Sequence, residues 1–156
     1  MVEPSQIRSI LMDAGIDYDS ALRRMMGKES LYYRFLKKFA DDPNYRDFQD
    51  GLREKDPEKA FRAAHTLKGH GANLGMDELT RAVSGAVEIL RPLSSHGRDS
   101  QAGASHAPGV QAMEISGAEN GAGDWTQAVK ASSDQIREAY ERIIGALKAS
   151  GIGADL

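Results

Sequence analysis

The chain of 156 residues contains no cysteine. It can therefore form neither disulfides nor thiolate metal sites, and nothing in it requires an oxidising compartment, so we expect a cytoplasmic protein. An excess of basic residues is also missing, because the formal net charge is −3 and the pI is about 5.8. Proteins that bind a phosphate backbone usually have such an excess. Nucleic acid is not an expected partner.

Long apolar runs are missing as well. No stretch approaches the ~20 apolar residues of a membrane span, and the opening MVEPSQIRSILMDAGIDYD lacks the apolar core of a signal peptide. We expect the chain neither to enter nor to cross a membrane. Its composition, 40% hydrophobic and 28% charged, is that of an ordinary globular protein. The length suits one domain over residues 1–156.

Two-residue alternation, which would indicate strands, is not sustained anywhere. Apolar residues recur instead at spacings of three and four, which predicts an all-α fold. Pro57 follows an acidic cap candidate and marks a strong helix start, and Gly75 ends that helix. The predicted helices cover about 5–14, 19–26, 29–42, 45–52, 57–74, 77–91 and 124–149, with Pro43 either separating two helices or breaking one.

Residues 94–123 differ in kind from the rest of the chain. Of these 30 residues, 17 are glycine, alanine or serine, and four are charged. Such a composition is typical of flexible segments rather than of packed helices. We predict a flexible insert between the last two long helices.

The stretch AAHTLKGHGANLG, residues 63–75, carries the chemistry. At 3.6 residues per turn, Lys68 and Gly69 lie about one turn beyond His65 on the same side of the helix. This spacing predicts that all three lie near the surface. The predicted interior set is Phe61, Ala64 and Leu67, with Ala72 as a further candidate.

Each of the three surface residues has a use in phosphoryl transfer. A neutral imidazole, with an ordinary pKa of about 6.5, is a good nucleophile toward phosphorus near pH 7. The charge of Lys68 can offset that of a phosphoryl group. Gly69 and Gly71 each cost about 1 kcal/mol relative to alanine within a helix, which suggests a purpose other than stability. Missing side chains would let a partner approach His65 closely.

The pairs Ala64-His65, Lys68-Gly69 and Leu74-Gly75 resemble the signature of histidine-containing phosphotransfer (HPt) domains, and Thr66, Leu67 and Asn73 are of the usual types. The resemblance covers about 5–93 and 124–150. It implies an antiparallel four-helix bundle with short extra N-terminal helices. The insert at 94–123 departs from the family, which usually joins the last two helices by a short turn.

The resemblance also implies a phosphorelay function in two-component signalling. His65 would accept a phosphoryl group from a receiver-domain aspartate and pass it to another receiver, with Lys68 as electrostatic helper. Thr66, Gly69, Gly71 and Ala72 would form the docking surface. Expected partners are receiver domains of response regulators and hybrid sensor histidine kinases, and the Mg²⁺ would belong to the receiver. We expect a monomer without a cofactor of its own.

The sequence gives less support to other functions of these residues. No Walker or kinase glycine motif is present, so we expect no autokinase activity. His65 and His70 lack the i, i+4 spacing of metal ligands, and His96 and His106 lie in the insert, so we expect no metal site. We interpret His70 as a structural or surface residue. The alternative function is a helical adaptor that binds receivers without carrying phosphate.

Overall fold

The computed structural model describes residues 3–94 and 124–152. Within these ranges every regular element is a helix, and the sole β-type pairing is an isolated bridge between Ile16 and Met76. The all-α prediction is confirmed. The helices are α1 (Pro4–Asp13), α2 (Tyr18–Arg24), α3 (Glu29–Ala40), α4 (Asn44–Arg53), α5 (Pro57–Asn73), α6 (Asp77–Leu90), a 3₁₀ turn (Arg91–Leu93) and α7 (Asp124–Ser150).

Two features of the sequence decide the helix ends. Pro43 lies between α3 and α4, so the chain forms two separate helices there rather than one broken helix. Pro92 falls within the 3₁₀ turn that ends α6.

Ser94, predicted to begin the insert, is buried, and its hydroxyl donates to the Glu58 carboxylate. The rest of the predicted insert, 95–123, lies outside the described residues.

The chain divides into two compact units. The described residues of the first unit are 3–42, 68–82 and 135–152. In it, the Tyr32 hydroxyl donates to the Leu74 carbonyl at 2.9 Å, and the Asp17 N–H donates to the Gly75 carbonyl at 2.7 Å. These contacts hold α2 and α3 against the end of α5. The largest buried side chains of this unit include Leu11, Ile16, Tyr18, Tyr32, Leu36, Met76, Leu79 and Ile136.

A tyrosine cluster closes one part of this first unit. The hydroxyls of Tyr18 and Tyr33 lie 2.7 Å apart, and Tyr18 donates to Glu29 at 3.0 Å. The rings of Tyr18 and Tyr32 pack edge to face with centroids 5.3 Å apart. Burial raises the pKa of the Tyr18 and Tyr32 phenols above the ordinary value. The Tyr18 and Tyr32 hydroxyls therefore keep their protons at physiological pH and can donate hydrogen bonds.

The buried face of α3 differs from the predicted one. The sequence predicts a stripe of Leu31, Phe35, Leu36 and Phe39, whereas the structure buries Tyr32, Leu36 and Phe39. Phe35 is 38% exposed. The face is centred on Leu36, with Tyr32 one turn before it, because the Tyr32 hydroxyl finds a buried carbonyl partner.

The described residues of the second unit are 43–67, 83–94 and 124–134. A Cβ added to Gly51 of α4 would lie 2.6 Å from the Ala60 nitrogen, so the backbones of α4 and α5 approach closely there. The buried apolar residues of this unit include Phe48, Ala60, Phe61, Ala64, Leu67, Val83, Ala86, Val87, Leu90 and Val129. They supply the core on which the N-terminal part of α5 rests.

In the described ranges, no helix combines the length and apolar character that crossing a bilayer requires. The single domain over residues 1–156 and the antiparallel order of a four-helix bundle stay predictions.

Candidate functional site

Helix α5 carries the candidate site, and its ends form as the sequence predicts. Asp56 Oδ1 accepts from the Lys59 N–H at 3.1 Å, which caps the helix start, and Pro57 occupies the first position. At the other end, the Met76 N–H donates to the Gly71 carbonyl at 2.8 Å, and Gly75 has a φ of +79°. This left-handed glycine ends the helix.

Burial along α5 follows the helical period. The buried positions are Ala60, Phe61, Ala63, Ala64, Leu67 and Gly71. The exposed positions are Arg62, His65, Thr66, Gly69, His70, Ala72 and Asn73, and Lys68 is partly exposed. The candidate nucleophile and most of the predicted docking residues therefore lie on the solvent face of one continuous helix.

The His65 ring rests on a buried aromatic residue. Its centroid lies 5.6 Å from that of Phe61, with 31° between the ring planes, and Phe61 is only 2% exposed. The Arg91 guanidinium carbon lies 5.7 Å from the Phe61 centroid, within cation–π range. Among the described residues, His65 has no hydrogen-bond partner. Packing rather than hydrogen bonding therefore orients the imidazole, and its nitrogens stay available for chemistry.

Sequence reasoning missed this support for His65. Phe61 and His65 are four residues apart, so the helical spacing was a usable signal for their contact. Arg91 gave no such signal, because it lies after α6 and reaches Phe61 only in the folded unit.

Lys68 lies three residues beyond His65, which places the two side chains on neighbouring positions of the helix surface. In the part of the chain that the structure describes, Lys68 forms no ion pair. Its ammonium group is therefore not neutralised by a described carboxylate and can approach a charge held at His65.

The two helix glycines differ, and the prediction for Gly71 is wrong. Gly69 is exposed, and a Cβ added there would meet nothing within 4 Å, as a clearance position requires. Gly71 is buried, and its Cβ would lie 2.8 Å from the Thr80 Oγ1. Thr80 in turn donates to the Met76 carbonyl at 2.8 Å. Gly71 therefore makes room for α6, and it cannot form part of a docking surface.

Ala72 and Thr66 are both exposed. The expectation that Ala72 faces the interior is wrong, because Ala72 lies seven residues from His65 and so shares its side of the helix. Thr66 flanks His65 directly. Both residues remain candidates for partner contact.

His70 belongs to a different contact. Its Nδ1 lies 2.5 Å from Asp42 Oδ2 and donates to that carboxylate. The Asp42 side chain is only 9% exposed, whereas that of His70 is 49% exposed. The pair ties α5 to the loop after α3, which favours the structural interpretation of His70. Across the described ranges, no group of three or more potential metal-ligating side chains occurs.

Comparison with known protein families decides the family. A family model described as the Hpt domain matches residues 42–146, which is more than half of the 156-residue chain. The chain belongs to the Hpt domain family. Hpt domains are histidine phosphotransfer modules of two-component signalling, and they interact with receiver domains and histidine kinases. The helical bundle of this family agrees with the all-α structure.

The match includes all of α5 and begins after α3. The predicted family membership is confirmed, whereas the resemblance noted for residues before 42 lies outside the matched range. No curated protein and no solved structure gives a significant match to the chain.

Proposed function

We propose that the protein is a cytoplasmic phosphorelay carrier that accepts a phosphoryl group on His65 from a receiver-domain aspartate and passes it to another receiver. The observation that carries this proposal is the exposure of His65 on α5, with Lys68 and the open position at Gly69 on the next turn. The family supports the reaction class, and the exposed face supports the choice of histidine.

In the proposed step, a neutral imidazole nitrogen of His65 attacks the phosphorus of the receiver's aspartyl phosphate. The N–P bond forms while the bond between phosphorus and the aspartate oxygen breaks, and the aspartate leaves as a carboxylate. The reverse step reloads a receiver. Lys68 lowers the energy of the negative charge that passes between the two groups. The receiver supplies the acidic pocket and its Mg²⁺, and the carrier has no autokinase activity.

The test is transfer from purified phosphorylated receiver domains of the host, followed by chemical and mass-spectrometric analysis of the label. We expect an acid-labile, alkali-stable modification that maps to His65, one of four histidines in the chain. A label on another residue would contradict the proposal. Stable binding of a phosphorylated receiver with no transfer would instead favour the adaptor function.

Replacing Lys68 by alanine is expected to slow transfer about tenfold, which corresponds to about 1.4 kcal/mol of transition-state stabilisation. The helix should remain intact, because Lys68 is partly exposed and alanine is a good helix former. Single-turnover transfer and circular dichroism measure the two effects. Lys38→Ala, an exposed lysine on α3, is the control and should transfer at the wild-type rate. A loss of helicity in Lys68→Ala would contradict the assigned face.

Replacing Gly69 by alanine is expected to stabilise the protein and to impair transfer. The added methyl group meets no atom within 4 Å, so the helix gains about 1 kcal/mol of intrinsic propensity. A docked receiver, in contrast, would lose close contact, and we expect transfer to fall about tenfold, equivalent to about 1.4 kcal/mol. Denaturant unfolding and transfer rates measure both.

Gly145 of α7 offers the matched control for Gly69. It is also an exposed helical glycine with nothing within 4 Å of an added Cβ. Gly145→Ala should gain the same stability and transfer normally. Equal transfer by both variants would show that Gly69 is not a clearance residue.

A further inference from the structure

The end of α2 continues the exposed surface of α5. Arg24 Nη1 donates to the Asn73 carbonyl at 3.2 Å, and its Nη2 donates to the Ser20 hydroxyl at 3.2 Å. Ala72 and Asn73, in the last turn of α5, are exposed. The segment 23–28, which we call the α2 edge, therefore borders the candidate docking face of α5.

Met26 is the unusual residue of the α2 edge. Its side chain is 83% exposed, whereas that of the preceding Met25 is buried. Its φ is +57°, a left-handed conformation that is unfavourable for any residue with a Cβ and that glycine adopts readily. This conformation belongs to the end of α2, where the Gly27 N–H donates to the Leu22 carbonyl at 2.9 Å, and Lys55 adopts it at the end of α4. Neither core packing nor backbone geometry explains a methionine here.

The charge of the α2 edge indicates the chemistry of a partner. Arg23 and Lys28 are exposed on either side of Met26. The carboxylates of the flanking residues contact groups of the same unit. Asp17 accepts from the Ser20 N–H, Asp19 pairs with Arg8 at 2.6 Å, and Glu29 accepts from Tyr18. Residues 23–28 themselves include three basic residues and no acidic one, so the α2 edge is cationic with an apolar centre and fits an acidic protein surface that has an apolar recess.

We infer that the α2 edge is a second contact surface for the receiver domain, with Met26 as its apolar anchor and Arg23 and Lys28 as its charged rim. This inference rests on the proposed function. The receiver is the chosen occupant because the α2 edge adjoins the exposed last turn of α5 and complements an acidic partner. The edge lies outside the matched range 42–146. It determines which receivers bind rather than how phosphate moves.

Met26→Gly separates binding from stability. Glycine relieves the left-handed strain, so the midpoint of thermal unfolding should rise while receiver affinity falls about tenfold, since anchors of this kind dominate interface energies. Lys55→Gly is the matched control, because Lys55 is exposed and has a φ of +56°. It should gain stability and bind the receiver as the wild type does. Unchanged affinity of Met26→Gly in isothermal titration would overturn the inference.

Charge reversal tests the rim independently. Arg23→Glu should weaken receiver binding about fivefold at low salt, and the effect should shrink at about 0.5 M salt, where surface charges are screened. Arg34→Glu is the control, since Arg34 is exposed and lines a separate groove with Ile7 and Ser150. Equal affinities of the two variants would contradict the charged rim.

The two proposals fail in distinguishable ways. The receiver used is one that labels the wild-type chain, and the label is mapped before binding is measured. If no receiver labels His65, the proposed function fails. If His65 is labelled normally and both Met26→Gly and Arg23→Glu bind as the wild type does, only the inference about the α2 edge fails.

Discussion

Replacing His65 by glutamine is expected to reduce receiver-dependent labelling to background, a loss on the order of a hundredfold or more. A carboxamide nitrogen is not a nucleophile near pH 7, so no N–P bond can form. His65 is exposed and makes its main contact with the Phe61 ring, so the free energy of unfolding should change by only about 0.5 kcal/mol. Radiolabel transfer from a phosphorylated receiver and denaturant unfolding measure the two quantities.

His70→Gln is the matched control for this experiment. His70 is exposed on the same helix, and its ring contacts Asp42 rather than Phe61. We expect this variant to be labelled to within about twofold of the wild type, with a modest loss of stability from the broken contact. Label that survives in His65→Gln and disappears in His70→Gln would reverse the assignment of the acceptor.

Replacing the buried Gly75 by alanine is expected to lower the free energy of unfolding by about 3 kcal/mol or more. The φ of +79° costs about 1–2 kcal/mol for a residue with a Cβ. The new Cβ would also lie 2.5 Å from the Asp17 carbonyl oxygen, a backbone atom that cannot move aside cheaply. Overpacking of this kind adds about 1–3 kcal/mol. The Asp17 N–H bond to the Gly75 carbonyl would be distorted as well. For a chain of this size we expect the unfolding midpoint to fall by about 10 °C.

Gly27→Ala isolates the contribution of the collision. Gly27 has a similar φ of +73°, but nothing lies within 4 Å of its added Cβ. It should therefore show only the backbone cost of about 1–2 kcal/mol. If both variants lost the same stability, the close approach of Gly75 to Asp17 would not matter. Below its unfolding temperature, the Gly75→Ala variant should still be labelled on His65. Gly75 would then be a residue that the fold requires and not one that takes part in phosphoryl transfer.

Much of the helical layout is predictable from the sequence because its signals are local. Pro57 with its acidic cap starts α5, Gly75 ends it, and Pro43 separates α3 from α4. The exposure of His65 also follows from the helical period, since the same spacing that buries Phe61 and Leu67 turns His65 outward.

Where the predictions were wrong, a second helix decided the outcome. Tyr32 rather than Phe35 lies in the core because its hydroxyl reaches the Leu74 carbonyl. Gly71 is a packing residue because Thr80 of α6 lies against it. Periodicity tells which residues share a face, but it does not tell which face another helix covers.

The sequence by itself therefore determined the all-α class, the bounds of α5 and the outward position of His65 with Lys68 and Gly69. Hydrogen-bond periodicity, caps and glycine ends act within a few residues, so a single helix reveals them. Only the tertiary structure decided that Gly69 is open and Gly71 filled, that Phe61 and Arg91 support His65, and that Arg24 joins the α2 edge to the end of α5. Those contacts join residues far apart in the chain, and their geometry exists only once the helices have packed.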